Sequence, residues 1–206
     1  MPVFISFILI FLMPLLFWQD LSFFFDYLLI SLFLSLLIFF LKPLFKIHHS
    51  TLQIIVFFQL LYSFIILIIL NTGFVNGDFQ EIILVGDQIK YYQEAIDFSI
   101  QNYSLQEAIN NSSINYSFYQ FIVSLFLVFF DNEVLFMLFF STIMSILSLI
   151  FYSAFLRLYI SIKYTNLSVI LIGLLPHFIA ASTSCLKDSF IVFSFALLLF
   201  SSSNNP

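Results

Sequence analysis

Asp87, in the stretch 86–100 (GDQIKYYQEAIDFSI), is the residue best suited to chemistry. An acid directly after a glycine, at the first turn of a helical pattern, caps free backbone N–H groups. The same carboxylate at the edge of a pocket can take a proton from a hydroxyl or bind a metal. Lys90 occupies the position where a capping box needs Glu or Gln, so the capping role is incomplete. A second pair, Lys187-Asp188, lies between two apolar segments. Charges near membrane depth are costly and often functional, yet an interfacial helix start, with Asp188 capping and Lys187 snorkelling, accounts for them equally well. His177, after Pro176, reads more simply as a satisfied interfacial histidine than as an acid or base. Tyr91 and Tyr92 are interfacial aromatics first and ligand contacts second. Lys90, Arg157 and Lys187 are the cations that could meet an anionic leaving group.

The elements that must position these groups are set by composition. The chain has 206 residues, 62% hydrophobic and 8% charged, with 32 Phe and a mean hydropathy of +1.12. A soluble domain carries about a quarter charged residues, so this is an integral membrane protein. Its apolar runs are continuous rather than alternating, which selects helices over a barrel. The single Cys185 leaves no intrachain disulfide or cysteine metal cluster, and the three His are scattered. There is no glycine-rich phosphate loop and no basic patch, which argues against nucleic acid as a partner. The net charge of −5 is local: the polar loop 71–115 holds Asp78, Glu81, Asp87, Glu94, Asp97 and Glu107 against Lys90 alone.

The fold class expected is all-α: a polytopic helical membrane bundle whose outer-face loop carries amphipathic juxtamembrane helices. Apolar helices are predicted over about 1–18, 27–41, 51–70, 133–159, 167–181 and 189–200, in one membrane domain. The first ends at Trp18 and lacks the basic start and cleavage site of a secretory signal. Lys42-Pro43 is expected to end the second, and residues 71–77 to form a turn-rich exit from the third. Lys42, Lys46, His48 and His49 form a basic cluster that the positive-inside rule puts in the cytoplasm, with the N-terminus. The loop 71–115 then falls outside. In it, Ile89, Tyr92 and Ile96 share one helical face, suited to lying on the membrane surface. The segment 116–130 is apolar but short. If it spanned, Arg157 and Lys163 would lie outside, so a non-spanning segment is preferred. The stretch 182–188 then emerges on the same face as Asp87.

This order of elements resembles the N-terminal part of GT-C type glycosyltransferases, multi-pass enzymes that use polyprenyl-phosphate-linked sugars. The resemblance covers about residues 50–200. It rests on Gly86-Asp87 followed by Tyr91, Tyr92 and Ala95, on the helix ending near Pro176, and on Lys187-Asp188 at the start of the next. It implies a longer fold, a bacterial plasma-membrane setting, and a lipid or glycan acceptor. It also implies Asp87 as general base or ligand of a divalent metal such as Mg²⁺ or Mn²⁺, Asp188 in the same cavity, and Lys90, Tyr91, Tyr92, Lys187 and His177 on the substrates. Gln88 departs from the Asp-Glu pair of many members. Two other readings stand beside this one: a polysaccharide polymerase or export protein, whose outer loops tend to carry arginines that 71–115 lacks, and a non-catalytic membrane subunit or transporter part.

Overall fold

The computed structural model describes residues 21–76, 134–183 and 188–204. Among them every element is a helix: α1 Leu21–Leu44, α2 His49–Asn76, α3 Val134–Leu156, α4 Ile162–Gly173, α5 Pro176–Thr183 and α6 Asp188–Asn204. Two stretches are long and apolar enough to cross a membrane, His49–Ile69 in α2 and Leu138–Leu156 in α3. A third exists if α4 and α5, bent by 67° at their junction, make one span. Shorter apolar stretches are Leu29–Leu44 and Asp188–Ser203. The expected helix 1–18, the amphipathic helix after Gly86 and the segment 116–130 lie outside the described residues.

Several helix ends differ from expectation for one reason: a polar residue is not a helix breaker. α1 begins at Leu21, so Asp26 lies within it. α2 runs on through Asn71, Thr72 and Gly73 to Asn76, where a turn-rich exit is expected. Pro43 falls inside the last turn of α1 rather than ending it. The stop is a Schellman motif. Ile47 N–H donates to Lys42 O (3.0 Å) and Lys46 N–H to Pro43 O (3.3 Å). Lys46 takes the left-handed conformation (φ 49°) that this motif usually gives to glycine.

The expected helix 167–181 starts earlier, at Ile162, and is broken in two. Pro176 has no N–H to give to Ile172 O, and its ring clashes with a continuing helix. Leu175 N–H turns back to Ile172 O instead (3.0 Å). The break leaves Gly173 O without an intrahelical donor, and the hydroxyl of Tyr62 on α2 supplies one at 2.9 Å. Gly173 also lies against the Phe58 ring, where a Cβ would collide, so glycine lets α4 approach α2 this closely.

Polarity is arranged in the reverse of a soluble bundle. Large apolar side chains form exposed stripes at helical spacing: Leu29, Phe33, Leu36, Phe40 and Leu44 on α1, and Ile191, Phe195 and Leu198 on α6. Small hydroxyl residues are buried, among them Ser31 and Ser35 on α1 and Ser141, Thr142, Ser145 and Ser148 on α3. Lipid gives no hydrophobic drive for helix association, so small residues that permit close approach, and polar groups that bond across, hold such helices together. Many of these hydroxyls satisfy themselves on the preceding turn, as Ser35 does on Ser31 O (2.9 Å) and Ser148 on Met144 O (2.7 Å). The large residues Phe58, Tyr62, Ile150 and Phe178 fill the space between α2, α3, α4 and α5.

The connections give the bundle two ends. At one, Thr51 donates to Asn166 Oδ1 (2.7 Å), Asn166 Nδ2 donates to Ser50 Oγ (2.9 Å), and an Arg157 N–H donates to Lys46 O. The α1–α2 turn, the start of α2, the end of α3 and the start of α4 therefore meet. Phe200 brings the far part of α6 to the same place, 5.2 Å from Phe45 between ring centroids. Lys42, Lys46, His48, His49, Arg157 and Lys163 all belong to this basic end. Thr142, fourteen residues up α3 from Leu156, donates to Ser182 O at 2.7 Å. The end of α5 and the start of α6 thus lie toward the other end, as do the finish of α2 and the beginning of α3.

Candidate functional site

Asp188 is the first residue of α6 and is exposed. A carboxylate there sits at the positive dipole end of the helix, which favours its charge. No hydrogen bond or ion pair to it occurs among the described residues. His177 is the second residue of α5 and is also exposed. The axis rises about 9 Å between His177 and Thr183 at ~1.5 Å per residue. His177 therefore sits beside the α4–α5 break, and no hydrogen bond among the described residues joins it to Asp188. Asp87, Lys90, Tyr91, Tyr92 and Lys187 lie outside the described residues. What is legible around them is the placement of their neighbours: Asn76 and Val134, which flank 77–133, lie toward the Asp188 end. Arg157, the remaining cation considered for a leaving group, is at the basic end, away from Asp188.

Among the described residues no three His, Cys, Asp or Glu side chains converge. A metal set centred on Asp87 would draw on residues outside them.

The structure adds a buried polar layer that the sequence reading passed over. Gln59 of α2 is fully buried, and its Nε2 donates to Ser31 O and Ser35 Oγ of α1, each at 3.2 Å. Its Oε1, with Ser31 Oγ, Ser63 Oγ and Ser141 Oγ, has no hydrogen-bond partner among the described residues. A carboxamide and hydroxyls cannot act as acid or base near neutral pH. They bond helices together, and a lone glutamine in the middle of the run 54–70 was the available signal. Two cavities lie among the described helices. An open groove of about 430 Å³ runs between α2 and α4, and a chamber of about 180 Å³ lies among α3, α4, α5 and α6. Neither is lined by Asp188 or His177.

Comparison with protein-family models, curated proteins and solved structures finds no match to this chain.

Proposed function

We propose that this chain is a multi-pass membrane protein of the GT-C glycosyltransferase type, with its basic end in the bacterial cytoplasm and its candidate site on the outer face. One arrangement supports the reading. Asp188 and both ends flanking the Asp87 segment lie toward one end of the bundle, and the basic turns gather at the other. A single crossing between Asn76 and Val134 would separate them to opposite ends. Positive charge concentrated at one end is also what the positive-inside rule requires of a cytoplasmic face.

On this reading Asp87 takes the proton of an acceptor hydroxyl, on a glycan or lipid, as its oxygen attacks the anomeric carbon of a polyprenyl-phosphate-linked sugar. The bond from that carbon to the phosphate oxygen breaks, and the electron pair leaves with the polyprenyl phosphate. Lys90 and Lys187 meet the phosphate charge, Asp188 orients the acceptor, and Tyr91, Tyr92 and His177 line the substrates. A divalent ion on Asp87 would supply further charge to the leaving phosphate.

The test is thiol accessibility in a Cys185→Ser background. Gln88→Cys and Ser184→Cys, probed on intact cells with a membrane-impermeant reagent, are both expected to label. Labelling from opposite faces would separate Asp87 from Asp188 and remove the shared site. A second reading, as part of a transporter or export protein, has one observation in its favour. Transport folds place broken helices at their binding sites, and the α4–α5 pair is such a break. Substrate passage without sugar transfer in reconstituted vesicles would select it.

A further inference from the structure

The groove between α2 and α4 has a chemistry that the proposed transfer does not use. Its walls are Ile54, Phe57, Phe58, Ile170 and Leu174, and its polar mouth is Ser50 and Gln53. Ser50 and Phe58 are eight residues apart on α2, which makes the groove about 12 Å long at ~1.5 Å per residue. Phe57 and Leu174 are exposed, so the groove opens sideways rather than into the core.

Its mouth is at the basic end. His48 Nδ1 lies 2.8 Å from Ser50 Oγ, and His49 Nε2 lies 3.4 Å from Gln53 Nε2. Lys163, exposed, stands seven residues before Ile170 and eleven before Leu174, on the same face of α4 as these two groove walls. Arg157 is anchored through one N–H to Lys46 O, which leaves further guanidinium donors for an anion. The acids among the described residues are Asp26 and Asp188, toward the other end of the bundle. The mouth therefore carries uncompensated positive charge over an apolar slot that faces the membrane.

We infer that this groove is a binding site for an anionic phospholipid, with its phosphate at Lys163, His49 and His48 and one acyl chain lying along Phe57, Ile170 and Leu174. Charge complementarity selects the occupant. A zwitterionic lipid would set its own cation against this cluster, and a protein helix would leave the charge unanswered. Basic pockets between transmembrane helices are a recurrent way of holding such headgroups. The inference depends on the chain residing in a bilayer and not on any glycosyl transfer.

The experiment uses the full chain in vesicle-derived nanodiscs containing phosphatidylglycerol and phosphatidylcholine of identical acyl chains. The lipid retained after extraction into neutral detergent is measured by native mass spectrometry. Phosphatidylglycerol is expected to be retained preferentially, and Lys163→Gln to weaken that retention about fivefold without altering phosphatidylcholine. Leu174→Trp fills the slot and is expected to reduce retention with every charge in place. Lys163 and His49 are exposed, so Lys163→Gln and His49→Gln should leave the unfolding midpoint unchanged. Equal retention of the two lipids by the native chain would overturn the site, as would unchanged retention in the Lys163→Gln, His49→Gln double variant. Displacement of phosphatidylglycerol by inorganic phosphate alone, or indifference to Leu174→Trp, would show that charge acts without the groove and would overturn the inference as stated.

Discussion

The two ends of the bundle are built differently. At the basic end, side chains distant in sequence tie the turns together: Thr51 and Ser50 to Asn166, and Arg157 to the Lys46 carbonyl. Toward the other end, Thr142 to Ser182 O is one such tie, Asp188 stands exposed, and the α4–α5 break lies in between. One end is closed on itself by hydrogen bonds, and the other carries a charged group at a helix start with no ion pair among the described residues. Satisfied polar groups rigidify, whereas unsatisfied charged ones keep their capacity for a ligand. The contrast therefore distinguishes a platform from a place where chemistry can be offered.

The sharpest test concerns the site proposed for the Asp188 end. Asp87→Asn in a transfer assay should lower turnover by roughly 10²- to 10⁴-fold, the usual contribution of a general base, with unfolding in detergent unchanged. A variant that retained full turnover would break the assignment of chemistry to that end. Between the two ends, Gly173→Val should destabilise by about 1–3 kcal/mol through overpacking against Phe58, and Phe58→Ala in the same chain should recover part of it. Chemical denaturation followed by tryptophan fluorescence would read both.

Tyr62→Phe should cost about 1–2 kcal/mol, because it strands the buried Gly173 carbonyl that the α4–α5 break leaves without a helical donor. At the closed end, Asn166→Ala removes two ties and should cost about 1 kcal/mol, measurable as a lowered unfolding midpoint. The smallest effect has the opposite sign. Lys46→Gly should stabilise by about 0.5–1 kcal/mol, since glycine takes the left-handed cap position without strain.

Helical character was legible from composition alone, because long unbroken apolar runs admit few structures. So was the gathering of Lys42, Lys46, His48 and His49 with Arg157 and Lys163 at one end of the helices, which is the coarser part of the expectation from charge asymmetry. The boundaries were less legible. Asp26 and Asn71 look like interruptions in a hydropathy profile, yet nothing in their backbone chemistry ends a helix. The α4–α5 break carried its signal in Gly173 and Pro176, but the partner that answers it, Tyr62, is 111 residues away from Gly173 and invisible to any local pattern. Gln59 was missed because a single polar residue in an apolar run has no periodicity to report. Of the candidate site, Asp188 and His177 appear at identifiable positions. The role of Asp87 rests on the resemblance of its surrounding motif.

The tie between Arg157 and the Lys46 carbonyl also sets an order of assembly. Gln59 finds its partners Ser31 and Ser35 within 28 residues, so α1 and α2 can pair as soon as both have left the ribosome. Among the described residues the Lys46 carbonyl, the Tyr62 hydroxyl and the Thr51 hydroxyl bond instead to distant partners. Their partners are made more than a hundred residues later, which at ordinary synthesis rates is a delay of about 5–20 s. During that interval the newborn hairpin carries three open bonding groups on one flank. The flank that α3 and α4 will cover is thus marked chemically before either helix exists.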